Sequence, residues 1–317
     1  MRDLVTVFGG SGFVGTQVVR ALARLGYRVR VAVRKPSVAQ DVKPLGDVGQ
    51  IQVIRADIRS PSDIERALNG ASACVNLVGI LYETPGVRFD AVHREGSQIL
   101  AEACAAKGIT RFVQMSALGA DPESNSAYAR SKGLAEKAVL KAIPTAVVLR
   151  PSIIFGTDDS FFNRFAQMAL YSPVLPLIGG GTTRYQPAYV EDVAEAVALS
   201  ISQPQHAGKT FSLGGPQVYS FKDLMQIVVR ETQRPRLLLP LPYFVASFIA
   251  MGGDLQALVM PPVLTSDQLK LLRLDNVVPA GEPGFEAFGL QPRSVEVVVP
   301  TYLWRYRDGG QFAPEAA

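Results

Sequence analysis

The chain has 317 residues, 48% hydrophobic and 19% charged, enough for one large globular domain or a main domain with a smaller appendage; this excludes a disordered chain. Its 32 Lys and Arg against 28 Asp and Glu leave a formal charge of +4 without runs of like charge, so nothing in the charge supports nucleic-acid binding. Two cysteines, Cys74 and Cys104, each in an apolar stretch, and two histidines, His93 and His206, are too few for a disulfide framework or a metal site, so no metal is expected.

Met1-Arg2-Asp3 runs directly into a strand pattern, which leaves no room for a signal or transit peptide and predicts a protein kept in a reducing, cytoplasmic compartment. Through residue 156, short β-branched runs alternate with helical segments. Strands are predicted at 5–8, 28–33, 51–56, 73–78, 111–116 and 146–150. Between them, a helix over 13–25 stops at Gly26, Ser60-Pro61 supplies an N-cap and a first-turn proline, and a helix over 91–107 stops at Gly108. The pattern predicts an α/β fold, a Rossmann-type doubly wound parallel sheet spanning 1–156 as a dinucleotide-binding domain.

The first strand-to-helix turn satisfies two glycine spacings at once: Gly10, Gly12 and Gly15 fit GxGxxG, and Gly9, Gly12 and Gly15 fit GxxGxxG. Following an apolar strand and opening a helix, it reads as a pyrophosphate cradle, because glycine admits close backbone approach and the helix start offers free amides. Gly9, Ser11, Gly12, Phe13, Val14 and Gly15 are therefore expected cofactor-binding residues. The second strand ends in Arg34-Lys35 where NAD-preferring sites carry a carboxylate about 20 residues past the turn, which favours NADP(H) over NAD(H) through a 2′-phosphate on arginine. A solvated strand end is the bland alternative for Arg34 and Lys35. Asp57 closes the third strand near the expected adenine edge, and Leu77, Val78 and Gly79 follow the fourth, where the cofactor would cross.

The fifth strand ends in Ser116, and twelve residues later Tyr128 and Lys132 form a YxxxK at the start of a helix. This spacing puts phenol and ammonium on one helix face, where the cation is expected to lower the tyrosine pKa toward acid–base work. Ser116, Tyr128 and Lys132 are the candidate catalytic residues: Ser116 would bond a substrate oxygen, and Lys132 would also hold the nicotinamide ribose.

Beyond Gly156 the regularity loosens into a smaller, mixed C-terminal lobe over 157–308, whose strands can return to the main sheet; 309–317 is expected to be a frayed tail. Helical patterns run over 161–171, 191–202, 221–232, 267–273 and 295–307, with a strand at 210–213. Mean hydropathy is +0.16, and the excess sits in Leu237 to Ser266, where the only charge is Asp254. Pro240, Pro242, Gly252-Gly253 and Pro261-Pro262 interrupt that tract, so it does not predict a transmembrane helix. From Tyr243 on, Phe244, Phe248, Met251, Leu255, Leu258 and Val259 recur at helical spacing opposite Ala246, Ser247, Ala250, Asp254, Gln256 and Ala257. The large face is expected either to pack in the lobe's core or to touch a membrane surface or a membrane-embedded partner.

The glycine turn at 9–15, Asp57-Ile58, the segment 76–79, Ser116, Tyr128/Lys132 and Leu149-Arg150-Pro151-Ser152-Ile153-Ile154-Phe155-Gly156 together resemble the short-chain dehydrogenase/reductase superfamily in its extended or atypical branch. The resemblance covers nearly the whole chain. It implies that Ile58 joins the cofactor site and that Pro151 and Ile154 line the nicotinamide. Within the superfamily, the glycine turn, segment 75–79, segment 151–156 with Phe161-Phe-Asn-Arg-Phe165 and the apolar tract are similar to the dehydrogenase-like accessory subunits of respiratory complex I, the alpha subcomplex subunit 9 family. That similarity implies an NADPH held mainly for structure, complex I subunits as partners and a peripheral membrane position. The alternative is an active NADPH-dependent reductase or epimerase/dehydratase on a small apolar carbonyl, quinone-like or nucleotide-sugar substrate, since Ser116, Tyr128 and Lys132 are all present. A dinucleotide-binding redox sensor is a third reading, against which Tyr128 and Lys132 count.

Overall fold

The structure, a computed structural model, describes residues 2–312; residues 313–317 of the expected tail lie outside them. The chain first forms β1 (Arg2–Phe8), α1 (Phe13–Arg24), β2 (Tyr27–Val33), β3 (Ile51–Arg55), α2 (Pro61–Ala67), β4 (Ala73–Asn76), α3 (Gly96–Ala106), β5 (Arg111–Met115), α4 (Ala127–Ala142) and β6 (Val147–Pro151). It continues through β7 (Ile154–Phe155), α5 (Phe162–Tyr171), β8 (Val174–Ile178), β9 (Arg184–Tyr185), β10 (Ala188–Tyr189), α6 (Val190–Ser202), β11 (Thr210–Leu213), β12 (Tyr219–Ser220), α7 (Phe221–Thr232), β13 (Leu237–Leu241), α8 (Tyr243–Gln256) and α9 (Ser266–Leu271). Two compact units divide it. One runs to Pro151 and takes in Glu191–Leu213 and Gly281–Leu290; the other comprises Ser152–Val190, Gly214–Ala280 and the residues from Gln291 on.

The first unit holds a seven-stranded parallel sheet in the order β11-β6-β5-β4-β1-β2-β3, the expected doubly wound α/β architecture. Its central strand β4 is buried on both faces and reads as a continuous run, whereas β2, nearer the edge, alternates, with Val29, Val31 and Val33 inward and Arg28 exposed. On one face Phe8, Ile64, Leu68, Leu100, Phe112 and Val139 form a closed cluster. The chain moves outward from β1 through β2 to β3, then returns to place β4 on the other side of β1. The carboxyl ends of β1 and β4 therefore diverge, and their turns frame a topological switch point. β11, distant in sequence, completes the sheet beside β6.

One helix departs from its pattern. The segment predicted as a helix over 91–107 begins with a π-helical turn, Asp90–Glu95, before α3, and this wider turn carries His93 into the interior.

In the second unit β8 and β13 pair in parallel, and Phe155, Phe162, Leu175, Phe221, Leu224 and Leu303 build a separate core. The helix predicted over 295–307 is broken into Val295–Val298, Pro300–Leu303 and a 3-10 turn at Trp304–Tyr306, because Pro300 has no N–H for the helical ladder. Helix α8 overturns the core-packing expectation for its large residues. Ala246, Ala250 and Gly253 face inward, while Phe244, Phe248 and Leu255 are 68%, 71% and 70% exposed. The reason is close backbone approach: a Cβ on Gly253 would lie 1.8 Å from the Leu264 carbonyl oxygen, so only small side chains fit between α8 and that segment. Met251, Leu258 and Val259 are exposed as well. Among the described residues no helix is long and apolar enough to cross a membrane.

Candidate functional site

The glycine turn lies at the switch point. Gly9 adopts φ +80°, a conformation that disfavours any side chain, and a Cβ there would meet the backbone of Leu77 and Val78 at 3.2–3.3 Å. At Gly15 a Cβ would fall 2.2 Å from the Gly9 carbonyl oxygen, so helix and turn can pack this closely only through glycine. Helix α1 starts at Gly12 with no side-chain cap and no acidic residue in its first turn. Its first helical bond runs from Thr16 N–H to the Gly12 carbonyl at 2.9 Å, so the amides of Phe13, Val14 and Gly15 precede the ladder and have no acceptor within the helix. An uncapped positive helix end above a backbone-lined cradle fits a pyrophosphate.

Beside the cradle, Arg34 and Lys35 are exposed past β2. Asp57, past β3, is held by Arg59, whose Nε and Nη2 donate to its two oxygens at 3.1 and 2.8 Å. These bonds hold the Asp57 carboxyl below the usual range, with a smaller push from the nearby Arg34 charge. Ile58 turns inward: it is buried in the core cluster and packs against Gly96.

Past β4, the strand-end side chain of Asn76 is buried and donates to Ser97 Oγ at 2.9 Å and Gln114 Oε1 at 3.0 Å, while its Oδ1 accepts from the Val78 amide at 3.1 Å. This fixes the course of Leu77, Val78 and Gly79. A Cβ on Gly79 would stand 3.4 Å from Lys132 Nζ and 3.7 Å from His93 Nε2. The absence of a side chain at Gly79 therefore keeps the space beside Lys132 open.

Helix α4 is capped by Ser126, which accepts from the Ala129 amide, and it presents Tyr128 and Lys132 one turn apart. Lys132 is buried, donates to the Met115 carbonyl at 3.2 Å, and lies 6.0 Å from the centre of the Tyr128 ring. The expected effect of the cation on the phenol is outweighed. Burial pushes the Tyr128 hydroxyl up to about 12, and burial brings the Lys132 ammonium down to about 8, opposed by the charge of Glu136. At this separation desolvation exceeds the Lys–Tyr attraction.

Ser116 is not brought to this pair by any hydrogen bond of its hydroxyl to Tyr128. It donates instead to Glu136, one turn past Lys132 on α4, and Glu136 is in turn gripped by Arg150 of β6. The hydroxyl hydrogen is thus directed at a carboxylate rather than at a substrate oxygen. Pro151 closes β6 in the first unit, and Ile154 opens β7 in the second.

Sequence reasoning passed over His93, Glu136, Arg150 and Arg59. Glu136 carried a usable signal, since it extends the 128–132 spacing by one more turn. Arg150 and His93 did not, because their roles depend on neighbours across the sheet and on the π-helical turn.

Comparison with known proteins bears on the family and the fold. The profile of the NAD dependent epimerase/dehydratase family matches residues 5–214. NADH dehydrogenase (ubiquinone) 1 alpha subcomplex subunit 9, mitochondrial, of Arabidopsis thaliana is 34% identical over 319 residues, covering 97% of this chain and 79% of that protein. A ceramide reductase of Caulobacter vibrioides is 36% identical over 203 residues, covering 64% of this chain and 62% of that one. In fold, the UDP-glucose 4-epimerase of Thermus thermophilus, solved in complex with NAD, superposes with a TM-score of 0.71 at 20% identity, covering 96% of this chain and 98% of that one. The chain therefore belongs to the NAD dependent epimerase/dehydratase family of extended short-chain dehydrogenases/reductases, with close similarity to the complex I alpha subcomplex subunit 9 proteins.

Proposed function

We propose that this protein is an NADP(H)-binding accessory or assembly subunit of respiratory NADH:quinone oxidoreductase, peripheral on the cytoplasmic membrane face, with the nucleotide held mainly for structure. The observation that carries the reading is the outward apolar face of α8: Phe244, Phe248, Met251 and Leu255 are exposed together in a tract whose one charge, Asp254, is engaged with the Ser266 amide at 3.0 Å. Exposed apolar surface on this scale marks a docking face. The tract 237–266 is thus the surface for complex I subunits or the membrane, and the length of similarity to subunit 9 supports the same partner.

The free helix-start amides support the following placement of a nucleotide. The amides of Ser11, Phe13, Val14 and Gly15 take the pyrophosphate, while those of Gly9 and Gly12 hold the turn by donating to the Ala32 and Gly9 carbonyls; Arg34 and Lys35 take the 2′-phosphate, and Asp57 borders the adenine. Leu77, Val78 and Gly79 border the crossing, Tyr128 and Lys132 the nicotinamide ribose, and Pro151 the nicotinamide. Support for a structural role comes from Ser116, whose proton is committed to Glu136. Solubilising native membranes in mild detergent, isolating this protein and identifying its companions tests the proposal. Complex I subunits and acid-extractable NADP(H) are expected. Recovery wholly in the soluble fraction, with nucleotide washing off freely, refutes it.

A second reading, turnover of a small apolar carbonyl, quinone-like or nucleotide-sugar substrate, is favoured by Tyr128 and Lys132. A dinucleotide held in this cradle would supply or accept the hydride. Burial keeps the Tyr128 phenol protonated, the state in which it can give a proton to a carbonyl oxygen, and the similarity to a protein named as a ceramide reductase points the same way. NADPH consumption with ketone, quinone and nucleotide-sugar panels, compared with Tyr128→Phe, tests this; equal rates remove Tyr128 from the chemistry.

A further inference from the structure

We infer that His93 is a positioning residue that locks the turn after β4 onto helix α4, so that the nicotinamide end of a bound dinucleotide meets one rigid wall; this rests on the dinucleotide-binding reading above. The donors and acceptors permit only one arrangement. The Ile80 amide can only donate, and it points at His93 Nε2 at 2.9 Å, so Nε2 is the acceptor and carries no proton. The proton of the neutral ring is then on Nδ1, 2.8 Å from Ser131 Oγ. Ser131 Oγ accepts it and donates its own hydrogen to the Tyr128 carbonyl at 2.7 Å. A continuous chain thus runs from the Ile80 backbone, next to Gly79, through His93 and Ser131 to the backbone of Tyr128.

Packing holds the ring in that pose. His93 is buried, with Tyr128 edge-on at 5.5 Å and an interplanar angle of 86°, and Phe89 at 5.5 Å. Burial and the Lys132 charge hold its basicity down to about 2, so the ring stays neutral and the chain keeps one direction across the physiological range. With Nε2 occupied by the Ile80 amide and the Nδ1 proton committed to Ser131, His93 acts through Tyr128 and the 77–80 turn and not on a substrate.

The test compares the full chain with His93→Leu, His93→Gln and Ser131→Ala for binding of NADPH and of 2′,5′-ADP, which carries the adenylate half alone. His93→Leu is expected to weaken NADPH about tenfold or more while 2′,5′-ADP stays within about twofold, and His93→Gln, which keeps one acceptor and one donor, to stay within about threefold for both. Ser131→Ala removes the two links beyond the ring and leaves the Ile80–His93 bond in place; it is expected to weaken NADPH alone, which keeps the test open if the leucine variant does not fold. Equal losses for both ligands, or no loss for either, overturn the inference. Nitrogen NMR of the imidazole is independent of any ligand: a proton fixed on Nδ1 from about pH 5 to 8 is expected, and a titration near the ordinary value of about 6.5 overturns the bridge. Should the wild type bind neither ligand, the dinucleotide reading fails, and with it the nicotinamide wall, while the NMR result still decides whether the histidine links turn and helix.

Discussion

Arg150 grips Glu136 with both arms of its guanidinium, Nε to Oε1 at 2.9 Å and Nη2 to Oε2 at 2.5 Å, joining β6 to α4 beneath the Tyr128–Lys132 pair. Glu136 is buried, and its carboxylate also takes the Ser116 hydroxyl. Arg150→Met strands that carboxylate and should cost about 3–5 kcal/mol, whereas Arg150→Met combined with Glu136→Leu should recover much of the loss. Urea unfolding of the single and double variants checks this; additive losses would show that the pair is not coupled.

Gly15→Ala should abolish tight nucleotide binding. The added methyl would stand 2.2 Å from the Gly9 carbonyl oxygen, and backbone on both sides leaves nothing flexible to yield. The cradle must open, and a loss of about tenfold or more in NADPH affinity is expected by calorimetry.

Arg34→Asp should move nucleotide preference from NADP(H) toward NAD(H), because the carboxylate repels a 2′-phosphate and accepts from a 2′-hydroxyl. The NADPH to NADH affinity ratio measures it, with a shift of about tenfold expected. An unchanged ratio would show that Arg34 does not read the phosphate.

Stability should carry two pH signatures in different windows. His93 is held down to about 2, so below its ordinary pKa the unfolded chain takes up a proton that the folded chain refuses. Stability is complete above about 6.5 and falls as pH drops, by up to about 1.4 kcal/mol per unit, and His93→Gln should flatten that limb. Lys132, brought down to about 8, is neutral in the folded state while still charged in the unfolded one at higher pH. Its contribution therefore makes stability rise between about pH 8 and 10.5, and Lys132→Met should remove that rise.

The orientation of α8 can be read from paired substitutions. Phe244→Ser with Phe248→Ser on the exposed face should change unfolding free energy by no more than about 0.5 kcal/mol for each site, yet release the protein from membranes. Ala250→Leu on the small inner face should cost about 1–3 kcal/mol through overpacking. Loss of stability in the first variant would mean that the large residues pack internally after all.

The parallel sheet and the cradle were legible in the sequence because both rest on local rules. Buried parallel strands need unbroken apolar runs, helices need caps and stops, and Gly9, Gly12 and Gly15 are demanded by contacts within a single turn. The YxxxK spacing likewise placed Tyr128 and Lys132 on one face of α4 from helix geometry alone. What lay beyond it were interactions between segments far apart in the chain. Desolvation of Tyr128 and Lys132 depends on everything packed around them, and it reversed the expected effect on the phenol. The partner of Ser116 is set by α4 and β6 meeting across the sheet, and His93 reaches the site through one π-helical turn that periodicity does not mark. Composition isolated the apolar tract, and its pattern separated large from small residues on α8. Which face turned inward was decided by tertiary structure, because the backbone at Leu264 comes too close to Gly253 for a large side chain to stand between them.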